Sequence, residues 1–459
     1  MRKKHRSQTS LLITLSLLLL LPLILVGFGT ARQLFIRATG IPANITIDAK
    51  LTLEQIRPVW NSFAQGGEES ADMIAPVASS VSRLSPEFIR IDHIFDHFDV
   101  VSRSNNGTLS FNFNRLDGIV RSILKTGARP FFSLSYMPQV IAENGDITGK
   151  PKNWSEWELV VQKTVEHYSG RDNLNLTDLY YEVWNEPDLF GNWKYSGDKN
   201  YLTLYTYAAR GAKNSRNVNP FKFGGPATTS LYKNWLMALA NHAFANKLPL
   251  DFFSWHRYTT NPAQYAKDVA NTTSWFIDKP DFVTIPRLIT EWGFNSNIHA
   301  GYDSNFAAAH TIASIRQMMY GYGNIFAFEL VDGRDPGGKS QWGRWGLITN
   351  PAVGVRLKPR FKVFEMLGKI QGTRLLVRGE GTWVTGIAAR NDNTYLVLLT
   401  NYDEYAKHTE SVPVSISGLP AGLYSYSLTR LSENPVTQTI NLTGTFNTSI
   451  IMPANSVVL

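Results

Sequence analysis

Residues 180–190 read YYEVWNEPDLF. An aromatic and β-branched run stops at Trp184, and a carboxamide, a carboxylate and a proline follow at once as Asn185, Glu186 and Pro187. Tyr, Val and Trp suit a buried strand. Pro187 cannot donate to a β-ladder, so the strand ends there. A strand that is apolar on both faces belongs to a covered parallel sheet. In closed α/β sheets the polar chemistry sits beyond the carboxyl ends of the strands.

Seven further runs share this character: Trp60–Gln65, Phe88–Asp92, Pro130–Ser135, Phe221–Gly225, Asp251–His256, Arg287–Glu291 and Ile325–Leu330. With Leu179–Trp184 they make eight. Helical patterns lie between them. Leu116, Ile119, Val120, Ile123 and Leu124 recur at helical spacing, and Gly127 follows as a terminator. Ser155–Glu158 reads as a capping box opening the next helix, and Phe306–Met319 reads as another helix, with Gly321 after it. Eight strands recurring at the spacing of βα units predict a (β/α)8 barrel over residues 59–370. After Gly368 the texture changes to short alternating runs separated by Gly, Asn and Pro turns. This predicts a β-sandwich over residues 371–459. The alternating stretch Leu34–Ile47, within a segment spanning 33–58, is expected to add a strand to that sandwich.

The chain of 459 residues, 43% hydrophobic, is long enough for a large core without disulfides, and cysteine is absent. Arg2, Lys3, Lys4 and Arg6 carry half of the formal charge of +8, and the thinly spread remainder gives no case for nucleic acid. Behind that cationic start runs an uncharged apolar stretch from Leu11 to Phe28. Residues 1–32 are therefore expected to be an export signal, either cleaved or retained as a membrane anchor through residues 11–28. The expected location is outside the cytoplasm, and the oligomeric state is left open.

Polar residues at strand ends are the candidates for chemistry. Strand two ends in Arg90, Asp92 and His93, strand four in Asn185 and Glu186, strand six in His256, Arg257 and Tyr258, and strand seven in Glu291 and Trp292. Strand eight carries Glu329, read as a structural partner for a cation. Glu186 and Glu291 sit three βα units apart, across the mouth from each other. Two carboxyl groups over one pocket serve glycoside hydrolysis, one donating a proton to the leaving oxygen and the other attacking or activating water.

At this point the sequence resembles glycoside hydrolase family 39, the family of β-xylosidases and α-L-iduronidases. The stretches that carry the likeness are YEVWNEPDLFGNW around Glu186, RPFFSLSYMPQVIA (129–142), DFFSWHRY (251–258), LITEWGFNS (288–296) and the run 342–367. The resemblance implies a retaining, double-displacement glycosidase in which Glu186 is the general acid/base and Glu291 the nucleophile. It implies that Asn185 binds the sugar 2-hydroxyl and that His256 and Tyr258 contact the nucleophile or the sugar. Trp292 is expected as an apolar platform for a sugar face, and Asp92 and His93 as further substrate contacts. The family pattern of Arg followed by His-Gly on strand two is broken here, with Asp92 at the expected His, which points to a different sugar. Arg344 is the cation that would meet a uronate carboxylate. His93, Asp96 and His97 do not complete a metal-ligand set, and two carboxyl groups with water require no cofactor. The expected substrate is a β-linked, xyloside-like or related plant or microbial glycan. The alternative is a catalytically inactive carbohydrate-binding or cell-surface scaffold protein on the same fold.

Overall fold

Eight parallel strands close on themselves in the computed structural model, in which residues 40–67, 69–334 and 344–459 are described. In chain order the barrel strands are Ser62–Gln65, Phe88–Ile91, Arg129–Leu134, Leu179–Val183, Phe221–Thr228, Phe252–Tyr258, Arg287–Gly293 and Ile325–Phe328. Each pairs with its sequence neighbour, and the eighth pairs with the first. Residues on alternate positions go to opposite sides of a strand. On strand two, Phe88 joins Phe131, Phe252, Leu288 and Phe326 inside the barrel. Ile89 and Ile91 join the layer between strands and helices. The lower barrel is thus filled with aromatic side chains, and space for chemistry remains only at the upper end.

The helix read from the Leu116 pattern is Asn114–Lys125, followed by Gly127 at φ 90°. The next helix, Trp154–Tyr168, begins earlier than Ser155. Asn153 is its cap: the side-chain oxygen accepts from Ser155 N at 2.9 Å, so Ser155 already lies in the first turn. Asn ranks with Ser as a cap, which is why the earlier residue prevails. Ser304 caps the helix Asn305–Met318, whose Met318 is core.

The C-terminal strands form a seven-stranded sheet and a separate two-stranded ribbon, Gly422–Leu428 with Val436–Leu442. The strand Ile45–Gln55 lies inside the large sheet, antiparallel to Thr373–Arg378 and parallel to Glu410–Ser417. One sheet face, with Ile387, Ala389, Leu398 and Val457, packs into the barrel's core layer. The other, with Val384, Leu399, Val414, Ile416 and Met452, forms a second core that the ribbon covers through Leu428 and Leu442. Two strands cannot cover seven, and a cavity of about 770 Å³ remains between ribbon and sheet, lined by Tyr395, Tyr424, Tyr426 and Phe446 among others. The expected signal or anchor, residues 1–32, and residues 34–39 of the alternating N-terminal stretch lie outside the described residues, as do residues 342 and 343. Among the described residues no helix is long and apolar enough to cross a membrane.

Candidate active site

The carboxyl end of strand four leaves the ladder abruptly. Trp184 and Glu186 take φ of 73° and 45°, left-handed values that cost about 1–3 kcal/mol each for such residues. Several bonds hold the turn: Ser133 Oγ donates to Trp184 O at 2.9 Å, Glu186 N to Ala227 O at 2.9 Å, and Trp184 Nε1 to Phe190 O at 3.1 Å. The turn points both Asn185 and Glu186 into the mouth. Strand seven uses a different device. Leu288 faces the barrel interior and Ile289 the outer layer, so strict alternation would send Glu291 outward. Ile289 pairs with Trp255 while Glu291 pairs with the very next residue, His256. This bulge of one extra residue returns Glu291 to the mouth.

The two glutamates meet there. Oxygen atoms of Glu186 and Glu291 and a ring nitrogen of His256 all lie within 4.8 Å of one another. His256 is fully buried, its Nδ1 2.8 Å from Glu186 Oε1 and 3.4 Å from Glu291 Oε2. Tyr258 donates to Glu291 Oε2 at 3.0 Å. Arg90, 1% exposed, donates to Glu291 Oε1 at 3.0 Å, to Glu182 Oε2 at 2.7 Å and to Asn185 Oδ1 at 2.8 Å. A guanidinium only donates, so the amide oxygen must face it. The Asn185 amide nitrogen therefore turns outward, spends one hydrogen on Tyr136 Oη at 3.0 Å, and keeps the second.

Burial pushes the Glu291 carboxyl up to about 7, against the pull of His256 and Arg90 and with the charge of Glu186 adding to the rise. Burial alone would depress His256, but the charge of Glu291 and the hydrogen bond to Glu186 outweigh it and hold the imidazole above its usual range. The pocket therefore has one carboxyl poised near neutrality beside a second carboxyl and a cation-prone histidine.

Of the residues singled out in the sequence, Glu186, Glu291, Asn185, His256 and Tyr258 come together. Asp92 lies at the same mouth, nine-tenths buried, above Arg90 on strand two. His93 turns aside at φ 52°, its Nδ1 2.7 Å from Asp96 and its ring stacked on His97. Trp292 is not a platform. The residue beside an inward-facing glutamate points outward, and Trp292 is fully buried behind the strand against Tyr265 and Arg360. Arg344 pairs with Asp303 and is not a free uronate receptor. Glu329, buried, accepts from Gln65 Nε2 at 3.2 Å. Sequence reasoning missed the partnership of Arg90 with Glu182 and the role of Tyr136. It also missed Trp345, half-buried and packed on Phe328, which in turn packs on Tyr258. A charge inside the apolar run YYEVW was the available signal for Glu182, because a buried strand carboxylate needs a cation.

Two side-chain groups are compact enough for a cation: Glu186–His256–Glu291, and His93–Asp96–His97 in the loop after strand two. In the second the rings stack at 4.3 Å with planes 23° apart. Imidazole lone pairs lie in the ring plane, so near-parallel stacked rings do not converge on one metal. Asp96 is also spent on Tyr136 N and His93.

The family profile described as Glycosyl hydrolases family 39 matches residues 43–441. The chain is 27% identical over 365 residues to a β-xylosidase of Caldicellulosiruptor saccharolyticus, covering 72% of this chain and 73% of that protein. It is 26% identical over 323 residues to a β-xylosidase of Geobacillus stearothermophilus, covering 63% and 62%. Among solved structures, a monomeric β-xylosidase from Caulobacter crescentus CB15 superposes with a TM-score of 0.76 at 21% identity, over 91% of this chain and 98% of that one. A family 39 enzyme from Xanthomonas axonopodis pv. citri gives 0.77 at 18% identity, over 91% and 96%. These structural likenesses speak for the barrel fold.

Proposed function

The chain belongs to glycosyl hydrolase family 39 and is a glycosidase, and on that premise we propose that it cleaves β-linked, xyloside-like glycans with retention of configuration, using Glu186 as acid/base and Glu291 as nucleophile. The observation that carries this reading is the spacing of the two glutamates, with oxygens within 4.8 Å of each other and of His256. Retaining pairs stand about 5–5.5 Å apart, and inverting pairs, which must admit a water, about 6.5–9.5 Å.

In the first step a Glu291 oxygen attacks the anomeric carbon. The glycosidic C–O bond breaks, and Glu186 gives its proton to the departing oxygen. Arg90 and Tyr258 each hold one oxygen of Glu291, which fixes the carboxylate plane for attack. In the second step Glu186, now ionised, takes a proton from water. The water oxygen attacks the same carbon, and the ester bond to Glu291 breaks. The remaining hydrogen on the Asn185 amide is aimed to bond the sugar 2-hydroxyl, a contact that strengthens as the ring gains positive charge. Trp345, on the Tyr258 side, takes the platform role that Trp292 cannot.

The test is a 2-deoxy-2-fluoro-xylosyl fluoride. Mass spectrometry of the inactivated enzyme should find one sugar on the peptide that carries Glu291. Turnover that inverts the anomeric centre by NMR, or a label on another side chain, overturns the assignment. Both the similarity to xylosidases and the site favour xylosides first in a panel of aryl glycosides.

A further inference from the structure

Resting on that reading, we propose that Asp92 is the residue that selects the sugar: it accepts hydrogen bonds from the vicinal 3- and 4-hydroxyls of a neutral pyranoside, and it excludes uronides.

Phe88, Arg90 and Asp92 are successive residues on the inner face of strand two. Phe88 belongs to the packed floor, and Arg90 makes the layer that holds Glu291 and Asn185. Asp92 is the next layer, at the mouth. Its charge acts on Arg90, Glu291, Tyr136 and His97. Asp92 is 7% exposed, its Oδ1 is shut off from solvent, and this oxygen has no hydrogen-bond partner. A buried carboxylate without a partner is costly. Every other carboxylate around the pocket has one: Glu182 and Glu291 have Arg90, and Glu186 has His256. Asp92 is therefore an acceptor kept open beside the sugar position.

The direction of its reach follows from the strand order. Asn185 on strand four takes the 2-hydroxyl, Tyr136 follows strand three, and Asp92 ends strand two. Going round the sugar ring from C2 toward strand two, the next donors are the 3- and 4-hydroxyls. A carboxylate accepts from two neighbouring hydroxyls at once. A uronate would bring a second negative charge to a mouth that already holds Asp92, Glu182, Glu186 and Glu291 against Arg90 and His256. Arg344, the one cation considered for a uronate, is committed to Asp303.

The experiment compares wild type with Asp92→Asn on aryl β-xyloside and on its 3-deoxy and 4-deoxy analogues. Losing a hydrogen bond to a charged acceptor lowers kcat/KM by about 10–100-fold on the parent sugar. On the analogue that lacks the partner hydroxyl the two enzymes should differ little. The aryl glucuronide should be a poor substrate for wild type and a relatively better one for the variant. An equal loss on all three xylosides makes Asp92 structural and overturns the proposal. Should Asp92→Asn fail to fold, the wild-type ratio of parent to deoxy substrates decides alone: a ratio near one overturns it. If wild type hydrolyses none of the aryl glycosides, the glycosidic substrate reading fails first, and a label at Glu291 distinguishes that outcome from failure of the Asp92 assignment.

Discussion

Two clusters of buried charge lie at the loop end of the barrel, and they are built on opposite terms. In one, Lys358 stands 2.8 Å from Asp303 and 2.5 Å from Asp332, and Arg344 closes on Asp303 as well. Asp332 also accepts from Gly346 N at 2.8 Å, so the cluster ties the loops after strands seven and eight to the start of the last helix. In the other, Arg90 and His256 are shared among Glu182, Glu186 and Glu291, and Asp92 is left over. The first arrangement is closed and serves the fold. The second is short of cations, holds Glu291 near neutrality, and keeps capacity for something not part of the chain. Stored electrostatic cost at a mouth, beside full pairing a short distance away, is the mark of a site kept ready for a ligand.

The strongest way to break this contrast is to remove charge from the open cluster and look for a loss of stability instead of a loss of chemistry. Glu186→Gln should lower kcat/KM about 10²–10⁴-fold, the range of general acid–base catalysis. Glu291→Gln should lose at least as much, because no ester can form. Both variants should keep wild-type denaturation midpoints or better. Folded but fully active variants would remove both glutamates from the chemistry. Next in size is the converse substitution in the closed cluster. Lys358→Met leaves Asp303 and Asp332 facing each other without their shared cation, which costs about 3–5 kcal/mol of unfolding free energy by urea titration. The kcat/KM of the folded enzyme should not change. A variant as stable as wild type would mean that the cluster carries no structural load.

A smaller and sharper test addresses how the open cluster is tuned. In the proposed role Glu291 must be ionised, and its pKa is pushed up to about 7, so kcat/KM should fall as pH drops through that value. Tyr258 donates to Glu291 Oε2 and favours the ionised form. Tyr258→Phe should therefore raise the pKa, move the acidic limb to higher pH, and cost about tenfold or more in rate at neutral pH. A limb that moves to lower pH would contradict the hydrogen bond.

The barrel was legible in the sequence because strands buried on both faces are near-continuous apolar runs, and the expected and observed strands differ mostly by a residue or two at their ends. Glu186 and Glu291 were legible for the same reason: each ends such a run. What could not be read is whatever depends on pairing between distant segments. Arg90 and Glu182 are far apart in the chain and find each other only because strands two and four share an interior. The sheet and the ribbon of the C-terminal part show the same alternation, so period alone does not say which strand joins which. Trp292 is a different kind of miss. Once Glu291 faces the mouth, alternation already sends its neighbour behind the strand, and an aromatic beside a glutamate was given weight that its position does not support. What alternation does not supply is the bulge at Glu291 itself, without which the nucleophile would point outward.

The smallest expected effect separates the clusters most cleanly, because one substitution should change sign between them. Asp332→Asn removes a charge that Lys358 needs, and the buried ammonium loses its partner, so stability falls. Asp92→Asn removes a charge that no cation on the chain is bonded to and relieves its repulsion with Glu291. Stability should rise by about 1 kcal/mol, the scale of relieving a buried unsatisfied polar group. The same change withdraws one of the fields that raise the Glu291 pKa, so the acidic limb should move to lower pH, opposite to Tyr258→Phe. A destabilised Asp92→Asn would mean that Asp92 has a structural partner after all, and the two clusters would then be alike.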